Sequence, residues 1–176
     1  MIKVLSGWGG PGGSTVAFNN LVNLFNSKDL KACYYTPSKW EGVSCEWKRS
    51  DNLNLKKDDV LIYHFVNIKE KLPPKKMILS CHETGVFPIK NHKNLQYDHI
   101  HFVSKFQKEW QGLDGTVIPN VVRKYAKVPR VWKKNSTAGI IGSIDENKRT
   151  HLSIQRALDD GHDDIRLYGA ITQPDY

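Results

Sequence analysis

The residues best suited to ligand chemistry form a glycine-rich stretch near the start of the chain. Residues 7–14 read GWGGPGGS, with five glycines and a proline between an apolar run and a helical pattern. Within it, Gly7, Gly9 and Gly12 satisfy G-x-G-x-x-G, a pattern typical of dinucleotide binding when a strand precedes it and a helix follows. Backbone N–H groups at such a helix start favour negative charge, so the stretch is compatible with a phosphate-bearing ligand, and a plain tight strand-to-helix turn is the alternative.

The dinucleotide interpretation needs more than glycines. A carboxylate about 20 positions further on, at the end of the second strand, holds the ribose hydroxyl in such proteins. Here the second predicted strand ends Tyr34-Tyr35-Thr36-Pro37, without a carboxylate. An NAD(P)-dependent Rossmann oxidoreductase is therefore the second alternative rather than the main interpretation.

Histidine and cysteine are the usual metal ligands, but their spacing here indicates no site. Cys33, Cys45 and Cys81 are widely separated, and the sequence contains no C-x-x-C. His99 and His101 alternate along a strand-like run, and the other histidines lie far apart. We expect free or buried thiols and no metal, although sequence separation does not exclude a cluster assembled by the fold.

Short apolar strands alternate with helical patterns through the first 120 residues. A helix capped by Ser14 follows the first strand, and a second helix capped by Ser104 follows the fifth. This alternation predicts a doubly wound α/β domain with a parallel sheet and ligands at the carboxyl ends of the strands. The predicted strands are residues 2–5, 32–35, 60–65, 77–81, 99–103 and 116–120.

A basic, aperiodic segment separates this domain from a second, shorter α/β unit. We predict domains over residues 1–125 and 138–176, with residues 126–137 as a linker. The second unit has only a strand, a helix and a strand, which cannot bury both faces alone. We therefore expect self-association or disorder there, because four apolar side chains lack cover: Ile140, Ile141, Leu152 and Ile154.

Charge is distributed unevenly between the two parts. The chain carries a net charge of +8, with +11 on residues 1–135 and −3 on residues 136–176. Such asymmetry is compatible with an anionic polymer, an anionic membrane surface or a phosphate-bearing ligand. A non-catalytic basic module is thus the first alternative, although no nucleic-acid motif is present and we predict no nucleic-acid partner. No run approaches the ~18 to 20 apolar residues of a membrane span, so we expect a cytoplasmic protein.

Five motifs in order resemble the group 1 (family 4) glycosyltransferases of GT-B fold. They are the glycine loop, SCHET at residues 80–84, YDHIHFVSKFQKEW at 97–110, VIPN at 117–120 and GIIGSIDENKR at 139–149. The resemblance implies two Rossmann-like domains facing a cleft, here a complete acceptor-side domain followed by the start of a donor-side domain. It also implies a retaining transferase that uses a nucleotide-sugar donor, a carbohydrate or lipid-linked acceptor and no cofactor or metal.

The same resemblance assigns roles to residues of the first domain. Gly10, Gly12 and Gly13 match the loop that lines the cleft near the donor phosphates and the acceptor. His82 matches the histidine that contacts the transferred sugar and is our catalytic candidate, with Glu83 a weaker one. Asn120 matches a turn before the domain crossing, where a conformational role is expected.

In the second domain, Lys148 matches the lysine of the family pattern G-R-x-x-x-x-K, whose cations neutralise the donor diphosphate. Gly142 is followed by Ser143 instead of arginine, which leaves Arg149 as a substitute cation. The family's later glutamate pair has no counterpart here. The resemblance therefore predicts a truncated chain, inactive alone, whether as a fragment, a chain completed by a second one or a protein that has lost catalysis.

Overall fold

The computed structural model describes residues 1–68, 71–82, 95–122, 137–142, 144 and 148–169. The chain divides into two units, Met1–Lys124 and Tyr125–Tyr176. Glu83, Ser143 and the predicted linker before Thr137 lie outside the described residues. None of the described helices combines the length and apolar character that a membrane crossing requires.

The first unit is built on a seven-stranded sheet in which every strand pairing is parallel. The strand order is β3-β2-β1-β4-β5-β6-β7. This is an α/β fold, Rossmann-like in general kind, and it confirms the predicted parallel sheet. The strands are β1 (Ile2–Ser6), β2 (Ala32–Thr36), β3 (Trp47–Arg49), β4 (Val60–His64), β5 (Lys76–Cys81), β6 (His99–Phe102) and β7 (Thr116–Val117).

Two helices in this unit begin in different ways. Helix α1 (Gly13–Asn26) has Gly12 as its N-cap and no side-chain capping bond, so the predicted Ser14 cap is wrong. Helix α2 (Lys105–Gln111) has the predicted cap, because the Ser104 hydroxyl accepts a hydrogen bond from the Gln107 N–H at 3.1 Å. Among the described residues, no side chain caps the first N–H groups of α1.

Alternating side chains give the sheet two apolar faces. Val4, Tyr34 and Ile62 pack with Phe18 and other α1 residues on one face. Their immediate neighbours point to the opposite face, where they form a second core cluster with β5 and β6. Because side chains alternate along a strand, the residues that share a face with α1 follow directly from this register.

A buried ion pair lies at the amino edge of the sheet. The Lys3 ammonium contacts the Asp59 carboxylate at 2.8 Å, and both side chains are only 6% exposed. Asp59 also accepts a hydrogen bond from the Lys56 N–H at 2.8 Å, and Lys3 donates to the Asn54 carbonyl. Burial alone would raise the pKa of Asp59, but these hydrogen bonds outweigh burial and hold its pKa below the ordinary value.

The second unit contains strand β8 (Ala138–Ile141), helix α3 (Thr150–Asp159) and strand β9 (Ile165–Tyr168), with β8 and β9 parallel. Ala157 is the one buried apolar side chain among its described residues. Ile141 is 84% exposed and Leu152 is 51% exposed, as expected for uncovered positions. Ile140 and Ile154 are partly buried instead. Self-association through this surface stays a prediction.

Candidate functional site

The glycine-rich stretch forms the loop between β1 and α1, at the carboxyl edge of the sheet. Strand β1 lies between β2 and β4 in the sheet. From β1 the chain builds one side of the sheet through β2 and β3, and it then crosses to the other side of β1 to form β4. The Gly7 N–H donates a hydrogen bond to the His64 carbonyl at the end of β4, at 3.0 Å. The loop therefore borders the β1/β4 crevice, the position where open α/β sheets bind ligands.

The first glycines of the loop are explained by packing. A Cβ on Gly7 would overlap the Phe65 carbonyl, and a Cβ on Gly9 would lie 2.5 to 2.8 Å from three atoms of Ser38. A Cβ on Gly10 would lie 2.7 Å from the Trp8 ring. Trp8 is itself held by Ser6, whose hydroxyl both accepts from its N–H and donates to its carbonyl. These three glycines are needed for the loop to close on its neighbours.

Gly12 and Gly13 are not explained in this way. Both are exposed, and an added Cβ would meet nothing within 4 Å at Gly13 and only Thr15 and Trp8 atoms at 3.8 to 4.0 Å at Gly12. Gly12 has φ 175° and ψ 168°, extended backbone that any residue adopts. Packing therefore does not explain these two glycines. A remaining reason for glycine there is that an external group approaches the backbone closely.

Four polar side chains gather at the same edge, on the face that carries α1. Ser80 lies at the centre: its hydroxyl is 3.1 Å from His82 Nε2 and 2.8 Å from His101 Nδ1. The Ser80 carbonyl accepts a hydrogen bond from His64 Nδ1 at 3.0 Å. The His82 ring lies 4.9 Å from His64 and 4.7 Å from Phe18 of α1, measured between centroids. We call this set of His64, Ser80, His82 and His101 the histidine cluster.

The register of the strands creates the histidine cluster. Ser80 of β5 pairs directly with His101 of β6, so their side chains stand side by side on one face. His82 follows two residues after Ser80 and returns to that face. The sequence shows S-x-H and H-x-H as separate patterns, and only the pairing of the strands joins them.

Two members of the histidine cluster, His82 and His101, are uncharged at neutral pH. Burial lowers the pKa of His82 to about 3, and the neighbouring rings of His64 and His101 act in the same direction. Burial also lowers the pKa of His101, more than its hydrogen bond to the Ile118 carbonyl raises it. His82 is therefore suited to hydrogen bonding with a neutral group and cannot donate a proton as an imidazolium near pH 7.

His82 and Asn120 line the same small cavity. Its volume is about 30 Å³, and its remaining walls come from α1, His101 and the segment after β7. The Asn20 side chain donates to the Val121 carbonyl at 3.0 Å and so ties this segment to α1. A cavity of this size has room for a water molecule or one hydroxyl group.

The remaining predicted residues, Lys148 and Arg149, lie in the second unit. Lys148 lines a cavity of about 190 Å³ at the end of β8, together with Gly142 and Thr150. Arg149 is exposed, lies outside the lining of that cavity and is the N-cap of α3, with φ 50°. This left-handed conformation costs free energy in a residue with a side chain.

Metal ligation receives no support from the described part of the chain, where no group of three histidine, cysteine or acidic side chains has suitable geometry. In the histidine cluster, the Ser80 hydroxyl occupies the position between two imidazole rings that a metal would need. Cys33, Cys45 and Cys81 all lie within the described residues and form no disulfide.

Comparison with known proteins adds no identification. No protein-family model matches the sequence, and no curated protein matches it. The function must therefore be argued from the residues and their arrangement.

Proposed function

We propose that this chain is the acceptor-side domain and part of the donor-side domain of a retaining GT-B glycosyltransferase. Its donor would be a nucleotide-sugar and its acceptor a carbohydrate or lipid-linked saccharide. The proposal joins the order of sequence motifs to a Rossmann-like parallel sheet whose glycine loop borders the β1/β4 crevice. Nucleotide-derived ligands bind at this edge in open α/β sheets.

The observation that carries the proposal is that the neighbouring residues require some glycines of the loop and not others. Gly7, Gly9 and Gly10 are required by neighbouring atoms, whereas among the described residues nothing lies closer than 3.8 Å to a Cβ on Gly12 and nothing lies within 4 Å of one on Gly13. Within the part of the chain that the structure describes, the first N–H groups of α1 have no capping side chain. A phosphate or a sugar hydroxyl that approaches Gly12 and Gly13 would accept hydrogen bonds from this backbone.

His82 supports a sugar ligand more than a phosphate at its position. A neutral imidazole exchanges hydrogen bonds with hydroxyl groups, whereas a phosphate favours a cation. Its place after β5, next to Phe18 of α1, puts it at the same sheet edge as the glycine loop. This fits the proposed contact between His82 and the transferred sugar.

Lys148 supports the donor side of the proposal. It lines a cavity at the carboxyl end of β8, next to Gly142, where a diphosphate would need a cation. In the transferase reaction the leaving nucleotide gains charge, and a fixed ammonium group stabilises that charge. Arg149 is offered only as a second cation, because it is absent from the cavity lining.

The strand order also favours a second candidate, an NAD(P)-binding oxidoreductase. Three features weigh against it. No carboxylate ends β2, which terminates at Thr36. The third glycine of the dinucleotide pattern normally permits close helix-strand packing, yet a Cβ on Gly12 would make only ordinary contacts, at 3.8 Å with Thr15 and 4.0 Å with Trp8. A hydride-transfer enzyme would also leave the resemblance of the later motifs unexplained.

A basic binding module is favoured by one surface feature of α2. Phe106 is 67% exposed and Trp110 is 37% exposed, and two lysines, Lys105 and Lys108, share this short helix. Aromatic and basic side chains together suit an anionic membrane surface. A glycosyltransferase with a lipid-linked acceptor would also use such a surface, so the two candidates are separated by donor binding.

Donor titration of the 176-residue chain tests the proposal. UDP-, GDP- and ADP-sugars are titrated by isothermal calorimetry. NAD⁺ and NADP⁺ are titrated in parallel to test the oxidoreductase candidate. We expect weak binding of one nucleotide-sugar, no binding of either dinucleotide and no measurable transfer. Lys148→Ala should weaken donor binding by about tenfold to a hundredfold, from loss of a charge-assisted contact of ~1.5 to 3 kcal/mol.

The matched control is Lys105→Ala, which removes an exposed lysine from the first unit. It should leave donor affinity unchanged and reduce binding to vesicles that contain phosphatidylserine. Binding to vesicles or single-stranded DNA without any nucleotide-sugar binding would replace the transferase proposal with the basic module. Tight NAD⁺ binding would replace it with the oxidoreductase.

A further inference from the structure

The hydrogen bonds of the histidine cluster form a chain whose direction can be read from its fixed end. That end is the Ile118 carbonyl, which lies 2.7 Å from His101 Nε2. A carbonyl oxygen only accepts hydrogen bonds, so His101 Nε2 must carry the proton. His101 is neutral at pH 7 because burial lowers its pKa, and its Nδ1 therefore holds a lone pair.

The next link is set by that lone pair. His101 Nδ1 lies 2.8 Å from the Ser80 hydroxyl, so Ser80 must donate its single proton to His101. The Ser80 oxygen is then left as an acceptor for its other neighbour, His82 Nε2 at 3.1 Å. His82 consequently carries its proton on Nε2 and a lone pair on Nδ1.

The open end of the chain is His82 Nδ1. Among the described residues no group donates a hydrogen bond to this atom. His82 is only partly buried and lines the cavity that also contains Asn120, with room for one hydroxyl group or water. The residue that carries this acceptor atom thus lines a space of matching size.

We propose that Ser80 and His101 are positioning residues that hold His82 in the Nε2–H tautomer, so that its Nδ1 accepts a hydrogen bond from a hydroxyl group of a bound ligand. The assignment of that hydroxyl to a sugar rests on the proposed function, whereas the tautomer does not. The chain runs from Ile118 through His101 and Ser80 to His82, and reversing any link would leave two donors or two acceptors facing each other.

This arrangement also excludes ligand classes at Nδ1. A lone pair on a neutral ring repels phosphate and carboxylate oxygens and attracts a hydroxyl or amide donor. The donor diphosphate would therefore bind elsewhere, and His82 would select for the presence of a hydroxyl group at one position of the ligand. A site built around such a bond rejects the deoxy analogue, because the acceptor is left unpaired.

The tautomer is tested by ¹⁵N–¹H correlation spectra of the histidine side chains in the 176-residue chain at pH 7, without ligand. We expect His82 and His101 to be neutral with slowly exchanging Nε2–H protons. Ser80→Ala should abolish the protected Nε2–H signal of His82 or introduce the Nδ1–H tautomer, and Ser80→Thr, which keeps the hydroxyl, should restore it. His101→Phe should act like Ser80→Ala on the His82 signal.

The control is Thr116→Val. It removes the β7 hydroxyl that bonds His99 at 2.8 Å, whereas Ser80 belongs to β5, the other neighbour of β6. It should leave the His82 spectrum unchanged. Finding His82 protonated on Nδ1 in the wild type would overturn the proposal. The same holds if Ser80→Ala leaves both the tautomer and the proton exchange unchanged. The wild-type spectrum decides the tautomer even if a variant fails to fold.

Ligand titrations separate this inference from the proposed function. Methyl glycosides of glucose, mannose and galactose are added to the ¹⁵N-labelled chain, with inorganic phosphate in parallel. A bound hydroxyl should shift the His82 Nδ1 resonance, and the matching deoxy glycoside and phosphate should not. Glycoside binding without that shift overturns the acceptor role. If no glycoside and no nucleotide-sugar binds, the transferase proposal and the hydroxyl ligand fall together, and the ligand-free spectrum still decides the positioning role.

Discussion

The two edges of the main sheet use polar groups in opposite ways. At the amino edge, Lys3 and Asp59 are charged, buried and supplied with partners by the chain itself. At the carboxyl edge, His82 and His101 are kept neutral, and their chain of hydrogen bonds ends on an atom without a described partner. Both edges contain buried polar groups, but the first is closed and the second is open.

This difference separates stability from binding. A charge that is buried with all of its partners is costly to disturb and offers nothing to a ligand. A chain of neutral hydrogen-bonding groups costs less to bury than a charge does. Its open end offers a directed hydrogen bond to a ligand. Changes at the amino edge should therefore act on unfolding, and changes at the open positions of the carboxyl edge should act on ligand binding.

The largest effect is expected from Asp59→Ala. Removing the carboxylate leaves the Lys3 ammonium buried without its counter-ion, which typically costs about 3 to 5 kcal/mol. Urea unfolding followed by circular dichroism measures the loss. Asp51→Ala is the matched control: it breaks an exposed pair with Arg49 at 2.9 Å and should cost less than about 1 kcal/mol. Equal losses for the two variants would contradict the closed character of the amino edge.

Acid should weaken the protein through the carboxyl edge first. The pKa of His82 is about 3 in the folded chain and 6.5 ordinarily, so between these values the unfolded chain binds a proton that the folded chain does not. Stability is therefore complete above pH 6.5 and falls toward pH 3, by about 1.4 kcal/mol for each pH unit well inside this window. Asp59 has a lowered pKa, so its contribution is lost only below its ordinary value of 3.8.

Unfolding at pH 7 and pH 4.5 measures this slope. His82→Asn should reduce the slope, and His101, whose pKa is also lowered, should account for much of the remainder. His151→Asn, on an exposed position of α3, serves as the control and should leave the slope in place. An unchanged slope in His82→Asn would show that His82 is not held neutral.

The glycine loop offers a smaller test of packing. Gly7→Ala should destabilise the protein by about 1 to 3 kcal/mol, because the added methyl group meets the backbone carbonyl of Phe65. Gly9→Ala should act in the same range through Ser38, whose backbone and side chain both lie within 3 Å of the new atom. Thermal unfolding measures both losses. Neutral behaviour of Gly7→Ala would mean that the loop closes differently on β4.

The smallest effect on stability is expected from Gly12→Ser. Its extended backbone accepts any residue, nothing crowds its Cβ, and serine is a better N-cap than glycine by only a few tenths of a kcal/mol. The unfolding free energy should therefore change by less than about 0.5 kcal/mol. If Gly12 borders the ligand, nucleotide-sugar binding should fall at least tenfold in the same variant. Unchanged binding would remove Gly12 from the site.

The sequence predicted the strands better than their pairing. Parallel strands buried on both faces give continuous apolar runs, so β1, β2, β4, β5 and β6 are readily found. β3 was not predicted, because Trp47-Lys48-Arg49 is short and charged and becomes a strand only by pairing with β2. The Ser14 cap was wrong because the helix begins two residues earlier than that cap requires, at Gly13 with Gly12 as its cap.

The site shows the same limit. His82 could be proposed from its motif, but its relation to Ser80 and His101 depends on register, which no local pattern specifies. The roles of Gly7 and Gly9 likewise depend on Phe65 and Ser38, which lie far along the chain. Residue types and spacing therefore indicated where chemistry is expected, and only the fold separated structural glycines from open ones.

The central position of β1 also has a consequence for synthesis. Ile2 pairs with Ala32 on one side and with Val60 on the other, so the strand of this sheet that is synthesised before the other six lies in its interior. A nascent chain that ends before β4 can form the β1-α1-β2 unit and its loop, but it lacks the His64 carbonyl that anchors Gly7. The loop is thus made early and fixed late, when the longest-range strand pairing closes. Ligand binding should therefore report on completed folding rather than on the first compact intermediate.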